Sequence, residues 1–147
     1  MTTLNSILRQ KQHGTITITP ETSIRKAVIL LAEKRIGAVV VVSAEDALVG
    51  ILSERDVVRS LAANGIATLE MTVAQLMTPH PTTATVKTTV FEAENLMTDG
   101  HFRHLPIVDN GKLVGVVSIG DVVKSLIDEQ ADQVRNLRDY VSGVNAA

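Results

Sequence analysis

The chain has 147 residues, 45% of them hydrophobic, and a formal net charge of −2, which suits one globular domain or two small halves sharing a core. There is no basic excess to neutralise duplex phosphates, three aromatics (Phe91, Phe102, Tyr140) are too few for a base-stacking platform, and no apolar run approaches the roughly 18 to 20 residues that cross a bilayer. The absence of cysteine excludes disulfides and cysteine-held metal, and with no secretory signal at the N-terminus the expectation is a cytoplasmic protein that binds neither nucleic acid nor membrane.

Leu4, Ile7 and Leu8 predict a short amphipathic helix before Gly14. Alternation over Thr15-Ile16-Thr17-Ile18 predicts a strand stopped by Pro20. Behind Thr22-Ser23, residues Ile24, Ala27, Val28, Leu31 and Ala32 mark the apolar face of a helix ending near Lys34. The β-branched run Ala38 to Val42 reads as a strand buried on both faces. A turn through Ala44-Glu45-Asp46 leads to a strand from Leu48 to Leu52, then a helix with Val57, Val58, Leu61 and Ala62, capped by Asn64-Gly65.

A polar loop from Ile66 to Glu70 and a helical turn at Val73 to Met77, ended by Pro79 and Pro81, connect to a second set of elements. Thr83-Ala84-Thr85-Val86 is its first strand, and Val90, Ala93, Leu96 and Met97 mark its first helix, with Thr89 and Glu92 at capping-box spacing. Leu105 to Val108, the turn Asp109-Asn110-Gly111 and Lys112 to Val117 form a hairpin. Val134, Leu137, Val141 and Val144 keep helical spacing in a tail that needs its own domain or a partner subunit to pack on. The expected division is an N-terminal helical segment at 1–13, a first motif at 14–65, a linker and second motif at 66–128, and a C-terminal amphipathic helix at 129–147.

The chain repeats itself. Leu48 to Ala62 returns 65 positions later as Leu113 to Ile127, with nine of fifteen residues identical, so two copies of one supersecondary unit are present. Each copy carries Gly, two apolar residues, Ser, two variable residues and Asp at a strand-to-helix junction: Gly50, Ser53, Asp56 and Gly115, Ser118, Asp121. Ser followed three residues later by an acid has the spacing of an N-terminal capping box. The same geometry also suits a ligand, because a helix N-terminus offers N–H groups to an anion and a carboxylate there can accept both hydrogen bonds of a ribose diol. Spacing leaves both roles open.

The duplicated β-α-β-β-α unit, with Ile36 to Val42 and Gly50 to Asp56 in one copy and Phe102 to Val108 and Gly115 to Asp121 in the other, resembles a tandem pair of cystathionine β-synthase (CBS) domains of the stand-alone bacterial type. The resemblance spans about Gly14 to Asp128. It implies an α/β (α+β) fold in which two CBS motifs pack with pseudo-twofold symmetry. It also implies a regulatory module that binds adenosine nucleotides, with AMP or ATP first and NAD or NADH, ADP and S-adenosylmethionine as further ligands. One implied cleft uses Val116, Ser118 and Asp121 with Ile16, Ile18, Gly37, Ala38 and Val39, and with His104 near phosphate. The other uses Ile51, Ser53 and Asp56 with Thr82, Thr83, Arg103, His104 and Leu105. Arg55, which the second motif lacks, joins Arg59, Arg103, Lys124 and Lys11 as candidates to meet phosphates.

The family implies a homodimer and an effector protein of unknown identity. The alternative is a scaffold whose repeat only dimerises, through helix faces carrying Val57, Leu61, Val122 and Leu126. Catalysis is not expected, since no nucleophile elbow, Gly-Lys-Ser/Thr phosphate loop or paired-carboxylate signature occurs. His101 and His104 sit three apart but precede a strand without partner ligands, so no metal site is expected either.

Overall fold

The run Ala38–Val42 forms a strand with all five residues buried, and the rest of the first copy is built on it. In the computed structural model, residues 1–11 and 14–146 are described, with the side chains of 144–146 excepted. The elements are α1 (Leu4–Gln10), β1 (Thr17–Ile18), α2 (Ile24–Lys34), β2 (Ala38–Val42), β3 (Leu48–Ser53), α3 (Glu54–Asn64), a 3₁₀ turn (Gly65–Glu70), α4 (Val73–Leu76), β4 (Thr78–Pro79), α5 (Val90–Gly100), β5 (His104–Asp109), β6 (Lys112–Ser118) and α6 (Ile119–Ala146). The chain divides into two compact units: one of residues 13–84 and 106–116, the other of 1–12, 85–105 and 117–147. These units cut across the division expected from the repeat.

In the first unit the sheet order is β1-β2-β3-β4. β1 lies parallel to β2 with Thr17 opposite Val40, and β3 runs antiparallel to β2 with Val40 opposite Ile51. One face of this sheet supplies Val39, Val41 and Leu52 to a core closed by Ile24, Ala27 and Leu31 of α2, Val57 of α3 and Val73 of α4. The expected strand from Thr15 shrinks to Thr17–Ile18, because only Val40 and Val41 offer it a partner before Pro20. The expected loop at Ile66–Glu70 is a 3₁₀ turn, pinned because buried Thr68 shares a 2.8 Å hydrogen bond with Ser60 of α3. β4 is a strand the sequence reading missed. Pro79 reads as a stop, yet at a sheet edge its missing N–H costs no ladder bond, and it lies opposite Gly50. A Cβ on Gly50 would stand 2.5 Å from Met77 Sδ and 3.0 Å from the Thr78 carbonyl oxygen, so the motif glycine makes room for that approach.

In the other unit α1 is tied to the segment before α5. Leu4 N–H donates to the Thr88 carbonyl (2.8 Å) and Val90 N–H to the Thr2 carbonyl (3.0 Å), and Leu4, Ile7, Val90, Ala93, Met97, Val117 and Val122 are buried. The N-terminal helix thus belongs with the second copy. The expected strand Thr83–Val86 is reduced to a parallel bridge between Ala84 and Ile107, both in the first unit, because the chain turns at once: Thr85 N–H donates to the Thr88 hydroxyl and Thr88 N–H to the Thr85 carbonyl. At Thr89 only half the capping box forms; the hydroxyl accepts the Glu92 N–H and donates to the Glu92 carboxylate itself. Back in the first unit, Asn110 and Gly111, with φ of 51° and 78°, make the hairpin a two-residue turn of the primed type.

Some expected core residues lie outside. Ala32 is exposed, Leu96 is 37% exposed, Leu61 41% and Val58 61%, because each lies off the narrower stripe its helix buries, such as Val90, Ala93 and Met97 on α5. The boundary expected at 128–129 falls inside α6, which runs unbroken from Ile119 to Ala146. From Val123 to Ser142 no glycine or proline interrupts it. Of the tail residues, Val134, Leu137 and Val141 are exposed and the Val144 side chain lies outside the described residues.

Candidate functional site

Both Ser-x-x-Asp turns sit where a strand ends and a helix starts, β3 to α3 and β6 to α6. In the first, Ser53 N–H donates to Asp56 Oδ2 (2.9 Å) and Asp56 N–H to Ser53 Oγ (3.2 Å). In the second, Ser118 N–H donates to Asp121 Oδ2 (2.9 Å) and Asp121 N–H to Ser118 Oγ (3.1 Å). Both are complete capping boxes, which fixes the carboxylate rotamers. The next N–H is also taken: Glu54 donates to the Gly37 carbonyl (2.9 Å), and Ile119 to the Arg103 carbonyl (2.8 Å).

This corrects one part of the ligand reading. The helix N-termini do not offer these N–H groups to an anion, since carboxylate, hydroxyl and carbonyl oxygens already hold them. What each turn presents is a half-buried, oriented aspartate with one oxygen, Oδ2, committed to the backbone. The same bonds bring Gly37 to the Ser53 turn and Arg103 to the Ser118 turn, each within its own copy. The sequence reading had grouped each with the opposite motif.

At Asp121 the structure adds a cation. Lys11 Nζ lies 2.6 Å from Asp121 Oδ2, so this phosphate candidate sits on a carboxylate. Burial by itself pushes the Asp121 carboxyl up, but the Lys11 ammonium and the Ser118 N–H and hydroxyl together outweigh it and hold the group below the usual carboxylate range. A cleft of about 310 Å³ opens beside the pair, lined by Lys124, Ser125 and Asp128 of α6 and by Ser6 and Gln10 of α1. Sequence reasoning named Lys11 without its partner. The docking of α1 that delivers it rests on main-chain bonds such as Leu4 to Thr88, which leave no periodic trace.

The other expected residues divide by exposure. Arg55, Thr82, Thr83 and Arg103 are exposed; Ile16, Gly37, Ile51, His104 and Val116 are half-buried. Ile18, Ala38, Val39 and Leu105 are buried, Leu105 completely, so their side chains are not presented at the surface. Among the described residues no group of three or more His, Asp or Glu is placed to hold a metal ion. No helix among them is long and apolar enough to cross a membrane.

The CBS domain family model matches residues 12–63 and again 73–128. A CBS domain-containing protein of Arabidopsis thaliana, CBSX3, mitochondrial, is 31% identical over 97% of this chain and 73% of its own. A crystal structure of a CBS-domain containing protein from Agrobacterium tumefaciens is 39% identical, with a TM-score of 0.81 over 84% of this chain and 92% of that one. CBSX2 of Arabidopsis thaliana, crystallised in complex with AMP, is 29% identical, with a TM-score of 0.73 over 88% of this chain and 99% of its own. The two matched segments, the duplicated Ser-x-x-Asp turns and the mixed α/β fold agree, and the chain belongs to the CBS-domain family as a tandem pair.

Proposed function

We propose that the chain is a regulatory, non-catalytic module that binds an adenosine nucleotide, AMP or ATP, at its Ser-x-x-Asp turns, with NAD and NADH as the next candidates. The observation that carries this reading is that both turns hold an aspartate in one rotamer by identical reciprocal bonds. A carboxylate fixed in this way accepts a vicinal diol without losing rotamer entropy on binding. Support comes from the similar protein CBSX2, whose structure is a complex with AMP. Asp56 and Asp121 would each receive a ribose, with Ile51 and Ser53 beside the first and Ser118 beside the second. Lys11 would exchange its carboxylate for a phosphate. The module would act as a homodimer, passing ligand occupancy to an effector protein.

The complete capping boxes favour a second reading, in which the motifs only start helices and the repeat is a dimerising scaffold. Thermal unfolding with AMP, ATP, NAD and NADH separates the two. A ligand bound only by the folded state raises the midpoint with the logarithm of its saturation. A rise with one or two of these nucleotides, reduced in Asp56→Ala or Asp121→Ala, supports the sensor. No rise with any of them, after removal of co-purifying nucleotide, leaves the scaffold.

A further inference from the structure

The two Ser-x-x-Asp turns differ in what remains available on their carboxylates. A carboxylate oxygen offers two lone pairs. On Asp121 both lone pairs of Oδ2 are taken, one by the Ser118 N–H at 2.9 Å and the other by Lys11 Nζ at 2.6 Å. On Asp56 the Ser53 N–H takes one, and among the described residues no ion pair reaches this group. A vicinal diol that places one hydroxyl on each carboxylate oxygen therefore fits Asp56 as it stands, and fits Asp121 only when Lys11 moves off. Lys11 caps the C-terminal end of α1. That helix is held to its own unit by buried Leu4 and Ile7 and by main-chain bonds from Leu4 to Thr88 and from Asn5 to Val86, so the ammonium stays within reach of the turn after it leaves the carboxylate.

Charge decides which ligand can move it. The first motif carries its own cation, the exposed Arg55, at the position where the second has Gly120. Around Asp121 the cleft of about 310 Å³ is lined by four carboxylates, Asp121, Asp128, Glu129 and Asp132, and by two cations, Lys11 and Lys124. A neutral nucleoside that displaces Lys11 returns no negative charge, so the ion pair is lost without compensation. A nucleotide returns phosphate oxygens, which form charge-assisted hydrogen bonds with the ammonium. Without Lys11 the same phosphate would enter among carboxylates with Lys124 as the one cation of that lining. We propose that Lys11 is the specificity-determining residue of the Asp121 turn, barring a ribose that carries no phosphate and admitting one that does. The Asp56 turn, with no cation on its carboxylate, does not exclude the unphosphorylated ribose. This rests on the nucleotide reading above and adds to it that the two turns select different ligands, by a penalty set against one of them.

Calorimetry with adenosine and AMP, on chains that keep one of the two aspartates, tests this. In Asp56→Ala, which leaves the Asp121 turn, AMP should bind about tenfold or more tighter than adenosine, as one charge-assisted hydrogen bond provides. Adding Lys11→Met should weaken AMP about tenfold and tighten adenosine about two- to fivefold, the worth of an exposed ion pair. Lys11→Arg, which keeps the charge, should keep the preference. In Asp121→Ala, Lys11→Met should change neither ligand. A general loosening of the fold would weaken both ligands together rather than drive them apart. Lys11→Met weakening both in the Asp56→Ala chain, or moving neither, would overturn the proposal while AMP binding there keeps the nucleotide reading. Absence of AMP binding in both single-aspartate chains would remove that reading and this proposal with it.

Discussion

The two copies share a motif and its hydrogen bonds but not its surroundings. The Ser53–Asp56 turn stands at the end of β3, inside a four-stranded sheet with β2 on one side and β4 on the other. The Ser118–Asp121 turn follows β6 of a two-stranded sheet, and its carboxylate carries Lys11, delivered by α1. Among the described residues no ion pair reaches Asp56. Local sequence therefore sets the cap, since Ser and Asp three apart make it twice in different settings. The charge next to the cap is set by whichever distant segment docks there, which gives two equivalent turns distinct chemistry.

Core deletions test how far the equivalence extends and should have the largest effect. Leu52 and Val117 occupy matching positions and neither has exposed surface. Leu52→Ala should cost about 2–5 kcal/mol and Val117→Ala about 1.5–3 kcal/mol, read from denaturant midpoints. A loss near zero at either position would mean that its copy is not part of the cooperative core. Next come the carboxylates. Asp56→Ala and Asp121→Ala should each weaken AMP binding at its own turn by about 1.5–3 kcal/mol, the value of a charged hydrogen bond, seen by calorimetry as loss of one class of site. Equal loss at both sites from either change would show that the turns do not bind independently.

Gly50→Ala probes what only the first copy has. The new Cβ meets Met77 Sδ, which can move, and the Thr78 carbonyl, which is main chain, so a loss of about 1–3 kcal/mol is expected from overpacking. Unchanged stability would show that β4 yields freely. The smallest effect belongs to Lys11. Asp121 titrates below its ordinary range when folded, so between the folded and unfolded values the unfolded chain holds more protons. The stabilisation is present above the unfolded value, near 3.8, and is lost as pH falls through the lowered one. With Lys11 40% exposed and Asp121 28%, Lys11→Met should cost well under about 1 kcal/mol at neutral pH. The difference from the parent should shrink to nothing on acidification, and a difference that persists or grows in acid would contradict the ion pair.

Much of the fold was legible because its signals are local. The five valine-rich residues of β2, the Asn110-Gly111 hairpin and the Ser23 cap of α2 each fold as their own chemistry dictates. What was not legible depends on contacts distant in sequence. Ala84 pairs only as a bridge because Thr85 and Thr88 close a turn, and Pro79 enters a strand because Gly50 admits it. Leu61 and Leu96 carry helical spacing yet face out, since spacing fixes a stripe but not how wide a stripe the neighbouring elements cover.

By itself the sequence determined the duplication, the two capped Ser-x-x-Asp turns and the family, because repeated spacing and local hydrogen bonding need no knowledge of what packs nearby. Tertiary structure decided that the N-terminal helix joins the second copy and sets Lys11 on Asp121, and that the Glu54 and Ile119 N–H groups are held by the Gly37 and Arg103 carbonyls. It also decided that Val134, Leu137 and Val141 of α6 are exposed. Charge pairing and exposure are properties of surfaces brought together by folding, and no window of the sequence contains both partners.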